Sequence, residues 1–205
     1  MAHRDFIMNK KLPKIIFRHS WIYDRTIERL SAKKKRKAPA KNRFQKHIKN
    51  LSKEWGKIGN KILKELSKVA KLRWRDKEIR VYVTDGVVPF SDPLTLNLRS
   101  SIHTLTHELI HVILSQRQNG RQFQKNWDYL MNKYKKEIPK AGGNLRGHII
   151  VHAIHWHIMD KFFDKRTLQK EMKSVKHPDY LRSWEIVKKD GYKQIIKDLT
   201  RGLKI

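Results

Sequence analysis

The stretch Thr104–His111 contains the residues whose types and spacing best fit catalytic chemistry. It reads T-L-T-H-E-L-I-H, and the apolar residues in and around it predict a helix. On a helix, His107 and His111 are four positions apart, so both imidazoles project from the same side. Two neutral imidazoles in this arrangement can bind one Zn²⁺ at about 2.0–2.1 Å each. Glu108 lies roughly 100° further around the helix, where its carboxylate can act as a general base on a water molecule.

A zinc ion held by two histidines of one helix needs a third protein ligand and keeps an open position for water. The segment Gly147–Asp160 predicts a second histidine helix, on which His148, His152 and His155 share a face. We expect His152 to be the third ligand, because it lies within an apolar run and is followed by the small Ala153. The alternatives, in order, are His148, the carboxylate of Glu185, and His155.

The amino-acid composition limits the possible metal ligands, and its excess of basic residues suggests an acidic binding partner. The 205 residues include no cysteine, which excludes disulfides, a thiol nucleophile and a thiolate metal site. The net charge is +29, of which +19 falls on residues 1–80. Such an excess favours nucleic acid, an anionic membrane or an acidic protein as partner, although charge also keeps proteins soluble. The run Ala32–Lys41 is interpreted as a linker or a phosphate-binding arm.

No targeting or membrane signal is visible in the sequence. The first ten residues lack the apolar core of a signal peptide, and no run approaches the roughly 18 apolar residues of a spanning helix. We therefore expect a soluble, cytoplasmic protein that does not associate with a membrane.

The elements that must position the histidines follow from the periodicity of the chain. Asn42–Leu72 predicts a long amphipathic helix with lysines on its outer face, and Glu78–Thr84 alternates like a half-buried strand. A turn at Asp85-Gly86 and a second strand at Pro93–Leu98 lead directly into the histidine helix. The remaining segments predict helices at Gln122–Lys133, Tyr180–Lys189 and Tyr192–Leu203.

The H-E-x-x-H motif at 107–111, together with this order of elements, resembles the zincin metallopeptidases. The resemblance covers roughly residues 76–205 and is closest to small archaeal-type minigluzincins, with a weaker resemblance to SprT-like proteases. It implies an α+β fold: a small, mostly antiparallel sheet with a backing helix, an active-site helix and a helical C-terminal half. Residues 1–75 would then be a basic, helical N-terminal extension that includes the backing helix.

The resemblance also implies roles for particular residues. In the gluzincin branch a glutamate on a second helix is the third zinc ligand, so His152 in that position would be a departure. Extended substrates pair with the last strand before the metal helix, which would make Leu94–Leu98 an edge strand. The metzincin branch does not fit, because Val112–Gln118 contains neither glycine nor histidine.

The function expected from these observations is zinc-dependent hydrolysis of peptide bonds, with one Zn²⁺ and with Glu108 as general base. A further side chain would stabilise the oxyanion, and the candidates are His155, His157, Tyr180 and Tyr192. Two alternatives stay open. One is a SprT-like protease held on DNA by its basic N-terminal region, and the other is a non-catalytic nucleic-acid-binding protein with a structural zinc.

Overall fold

A computed structural model describes residues 12–30, 41–85, 87–116, 120–137 and 143–204. Residues 32–40 of the basic run and Gly86 of the expected turn lie outside this set. The described part of the chain contains four strands and eight α-helices, which confirms the α+β class. The strands are β1 (Lys14–Arg18), β2 (Glu78–Thr84), β3 (Phe90–Ser91) and β4 (Leu94–Asn97). The helices are α1 (Trp21–Leu30), α2 (Lys41–Ala70), α3 (Ile102–Leu114), α4 (Gly120–Lys133), α5 (Gly143–Phe162), α6 (Lys165–Ser174), α7 (Pro178–Asp190) and α8 (Tyr192–Leu199).

The four strands form one mixed sheet in the order β1-β2-β4-β3. Strand β2 pairs in parallel with both β1 and β4, and only β3 and β4 pair antiparallel. The expectation of a mostly antiparallel sheet is therefore wrong. The physical reason is the return strand β3, which was not predicted. Because β3 reverses the chain after β2, β4 runs in the same direction as β2.

Strand β4 lies inside the sheet, so the expectation that Leu94–Leu98 is an edge is also wrong. Thr95 pairs with Tyr82 of β2 on one side and with Phe90 of β3 on the other. The two outer strands among the described residues are β1 and the two-residue β3.

Contacts divide the chain into two compact units, residues 1–64 with 73–112 and residues 65–72 with 113–205. This division differs from the boundary expected after residue 75. The first unit contains the sheet, and β1 belongs to it because Ile15 pairs with Ile79 of β2. A parallel pair of this kind requires a long crossover connection, which the chain between β1 and β2 supplies.

Helix α1 is held to the sheet by a tyrosine. The hydroxyl groups of Tyr23 and Thr95 are 2.7 Å apart, and the Tyr23 ring lies 4.7 Å from that of Tyr82. Trp21 and Ile22 of the same helix are 66% and 72% exposed. The contact of α1 with the sheet is therefore made through Tyr23, and these two large apolar side chains are left on the surface.

Helix α2 is amphipathic, as its periodicity predicts. Its apolar side chains Phe44, Leu51, Trp55, Ile62 and Leu63 are buried, and its lysines from Lys46 to Lys68 are exposed. Gly59 is required by the packing of Trp55, because a Cβ atom at position 59 would overlap the indole ring. Gly56, on the exposed side of the helix, has open space around it.

The second unit is built around α5, which packs against α6, α7 and α8. Its apolar residues occur on all sides of the helix, as expected of a helix that is surrounded by others. Those that are almost fully buried are Ile149, Ile150, Val151, Ala153, Ile154, Ile158 and Met159.

A buried ion pair also belongs to the second unit. Glu65 accepts hydrogen bonds from Lys161 Nζ at 2.6 Å and from His157 Nε2 at 2.8 Å. Burial alone would raise the pKa of Glu65, but these two hydrogen bonds outweigh it and hold the pKa below its ordinary value.

In the part of the chain that the structure describes, no helix combines the length and the apolar character needed to cross a membrane.

Candidate metal centre

The turn between β4 and α3 fixes where the H-E-x-x-H helix starts. Asn97 N–H donates to Ser100 Oγ at 3.0 Å, and Ser100 N–H donates to the Asn97 carbonyl oxygen at 3.0 Å. Asn97 Oδ1 also accepts from the backbone N–H of Arg99 at 2.8 Å. These hydrogen bonds satisfy polar groups of the turn, and they can form only with the present number of residues between the strand and the helix.

Ser101 caps the start of the helix. Its Oγ accepts from the backbone N–H groups of His103 at 3.2 Å and Thr104 at 3.4 Å. Thr104 Oγ1 accepts in return from the Ser101 N–H at 3.3 Å. This reciprocal pair satisfies donors that a helix start would otherwise leave without partners.

His107 and His111 are close enough to share one metal ion. Their Nε2 atoms are 3.3 Å apart, and the ring planes are inclined by 62°. Two nitrogens that each lie about 2.0–2.1 Å from a tetrahedral zinc are separated by roughly 3.3–3.4 Å. The spacing of the two imidazoles is therefore that of a shared tetrahedral metal.

His148 of α5 completes a group that could hold a metal ion. One ligand nitrogen from each of His107, His111 and His148 lies within 4.8 Å of the other two. His148 is 7% exposed, and its ring lies 4.4 Å from that of Tyr180. Among the described residues, these three histidines are the one set of three or more metal-ligating side chains found close enough together to hold an ion.

His152, the expected third ligand, is not in that group. Its Nδ1 is 2.7 Å from Ser183 Oγ, and its ring is stacked on Trp184 with centroids 4.0 Å apart. The side chain is 3% exposed. The group contains His148, the first of the alternatives, which lies one helical turn earlier on the same helix. The apolar surroundings that favoured His152 come from packing against α7.

The two remaining alternatives have other neighbours. His155 is 2% exposed, and its Nε2 lies 3.6 Å from Glu171 Oε2. Burial raises the pKa of the Glu171 carboxyl to about 7. Glu185 is exposed and forms an ion pair with Arg182 at 2.9 Å. Neither His155 nor Glu185 joins the metal-binding group found among the described residues.

Glu108 is buried, with 6% of its surface exposed. Burial disfavours the charged carboxylate and raises the pKa of Glu108 to about 7. The residue thus places a carboxyl group directly beside His107 in the chain, in an environment with little water.

Three residues near the second histidine helix were not fully anticipated. Tyr180 was one of four oxyanion candidates, whereas Ser183 and Trp184 were not predicted to contact His152. All three lie on α7, about 30 residues after His148 and His152 in the chain, so no local spacing connects them to these histidines. A helical alignment of Tyr180, Ser183 and Trp184 on one face was the available signal.

Comparisons of this chain with protein-family models, with curated proteins and with solved structures find no match.

Proposed function

We propose that this protein is a zinc-dependent peptidase in which His107, His111 and His148 bind the metal. The observation that carries the proposal is the convergence of three imidazole nitrogens within 4.8 Å, with a carboxyl group next to one of them in sequence. Zinc hydrolases commonly use three protein ligands and keep a fourth position open.

The donor set supports zinc over other common metals. Three neutral imidazoles suit zinc and other late transition metals, whereas Mg²⁺ and Ca²⁺ prefer oxygen ligands. The 3.3 Å separation of the His107 and His111 nitrogens fits tetrahedral geometry. Zinc bound there would lower the pKa of a coordinated water and polarise the carbonyl group of a substrate.

Glu108 has the role of general base in this proposal. Its carboxyl group is on the same helix as two of the proposed ligands, and it would act on a water at the open side of the metal. The carboxylate takes a proton from the attacking water and then delivers it to the leaving amine, so that the same residue serves both half-steps. Glu108 is the one acidic residue of α3, and this mechanism requires no second proton carrier on that helix.

The observed strand order changes the part of the sheet with which an extended substrate would pair. Added peptide strands bind to a free sheet edge through backbone hydrogen bonds. Since β4 is covered by β3, a peptide that extends this side of the sheet would pair with Phe90–Ser91 and not with Leu94–Leu98.

The decisive experiment compares the wild-type protein with Glu108→Gln. Zinc is measured by elemental mass spectrometry on purified protein, and hydrolysis by release of fluorescein from labelled casein. We expect one zinc per chain in both proteins and a rate at least about 10³-fold lower in the variant, because general-base catalysis is lost. Glu185→Gln is the matched control, since this exposed glutamate should affect neither measurement.

Two results would overturn the proposal. One is undiminished casein hydrolysis by Glu108→Gln. The other is wild-type protein with stoichiometric zinc in a closed, four-ligand site by X-ray absorption and without hydrolysis, which would indicate a structural zinc.

A further inference from the structure

The exposed face of α2 carries an uninterrupted row of lysines. Lys46, Lys49, Lys53, Lys57, Lys61 and Lys64 recur at steps of three or four residues. At 100° per residue they fall within an arc of about 120°, and at 1.5 Å per residue they extend over about 27 Å. These six residues are called the lysine row below.

The row is held outward by the packing of the opposite face of the helix. All six lysines are exposed, whereas Leu51, Trp55 and Ile62 on the other side are buried. Among the described residues, none of the six lysines forms an ion pair with an acidic side chain. Glu54 and Glu65, which follow Lys53 and Lys64 directly in the sequence, both lie outside this arc.

Like charges three and four residues apart on a helix destabilise it, and they do so along the whole row. A polyanion that follows the row would relieve this repulsion and release its own counterions. The row runs along one side of a single helix, so it matches a partner that presents regularly spaced negative charges over a comparable length.

We infer that the lysine row is a docking surface for the phosphate backbone of double-stranded DNA. Its length of about 27 Å corresponds to roughly eight base pairs at 3.4 Å per step. The major groove of B-form DNA is wide enough to admit a helix, whereas that of A-form RNA is too narrow. The contacts are with phosphates, so binding is independent of sequence.

The face of α2 that carries the row is unsuited to a membrane surface. Helices that lie in a membrane interface bury an apolar face in the lipid, but the apolar face of α2 is already buried in the protein. Exposed apolar residues do occur on α1, at Trp21 and Ile22, so the test includes lipid vesicles. The inference is independent of the metal and of peptidase activity.

The test is binding of the full-length protein to a fluorescein-labelled 24-base-pair DNA duplex, followed by anisotropy between 50 and 300 mM KCl. The row variant carries Lys→Gln at positions 46, 53, 57 and 61. The control variant carries the same change at positions 165, 170, 173 and 188, which are exposed on α6 and α7. Both lose four positive charges and keep good helix formers, and circular dichroism verifies their folding.

We expect the row variant to bind about 100-fold more weakly at 100 mM KCl. The slope of the logarithm of the binding constant against the logarithm of the KCl concentration should become less steep by about 3 to 4. The control variant should stay within a few-fold of the wild type. Equal losses in the two variants would overturn the inference, because they would reflect net charge alone. Preferential binding to a 24-base-pair RNA duplex, or to phosphatidylserine vesicles in place of the duplex, would overturn it as well.

Discussion

The imidazole of His152 lies parallel to the indole of Trp184, with ring centroids 4.0 Å apart and planes inclined by 8°. Its Nδ1 is at the same time 2.7 Å from Ser183 Oγ. These contacts connect α5 to α7 and give His152 a packing role, while His148, one turn away, offers its nitrogen to the metal-binding group.

The two histidines should therefore respond differently to substitution. His148→Ala should lose stoichiometric zinc, because two imidazoles remain, and it should also cost some stability in the metal-free protein, because it removes a buried ring. His152→Ala should retain zinc but lose about 2–4 kcal/mol of stability, since it removes a buried ring and its hydrogen bond. Elemental analysis and urea denaturation in EDTA separate the two effects. Zinc loss confined to His152→Ala would restore His152 as the third ligand.

The two glycines of α2 form a second matched pair. Gly59→Ala should destabilise the protein by about 1–3 kcal/mol, because the new Cβ must displace the buried indole of Trp55. Gly56→Ala should stabilise it by about 0.5–1 kcal/mol, since the site is open and alanine favours a helix. Urea denaturation measures both, and equal effects at the two positions would contradict the packing described for Trp55.

The ion pair of Glu65 predicts a pH-dependent stability. Because hydrogen bonds from Lys161 and His157 hold the pKa of Glu65 below its ordinary value, its contribution is present above the unfolded pKa and is lost as the pH falls through the folded pKa. Glu65→Gln should cost about 1–2 kcal/mol at pH 7, with the lower end favoured by the partial exposure of Lys161.

The same substitution should cost less at pH 3.5, which is below the ordinary pKa of a glutamate, because part of the stabilisation by the ionised carboxyl has been lost there. Urea denaturation at the two pH values provides the comparison, with Glu185→Gln as an exposed control that should change stability by less than about 1 kcal/mol at either pH. A cost for Glu65→Gln that does not vary with pH would show that the charge of Glu65 is not what stabilises the unit.

Tyr180 is the oxyanion candidate that the contacts favour. His157 is bonded to Glu65, and the Tyr192 hydroxyl donates to Asp160 at 3.0 Å, whereas the Tyr180 ring lies against that of His148. If the peptidase proposal holds, Tyr180→Phe should lower kcat about 100-fold with little change in KM and with zinc retained. Tyr192→Phe is the control, and a loss of activity in that variant alone would reverse the assignment.

The features that could be predicted from the sequence depend on short-range signals. Helix α3 follows from apolar spacing, and α2 from a period sustained over 30 residues. The parallel pairing of Ile15 with Ile79 joins residues far apart in the chain, and the five-residue β1 carries little periodicity of its own. The direction of β4 depended on a two-residue strand too short to be recognised.

The third ligand could not be chosen from the sequence for a related reason. His148 and His152 lie one turn apart on the same helix, and both are buried. An apolar setting indicates burial, but burial against Trp184 and burial beside a metal leave the same pattern in the sequence. The choice depends on the rotation of α5, which is set by contacts with α6, α7 and α8.

The turn that joins β4 to α3 has a consequence for how the chain can vary. Its reciprocal bonds between Asn97 and Ser100, followed at once by the cap at Ser101, leave no slack between the strand and the first turn of the helix. One inserted residue would have to break these bonds or turn His107 and His111 away by about 100°. Although most surface loops tolerate insertions, this one should be fixed in length wherever the two histidines serve the same purpose.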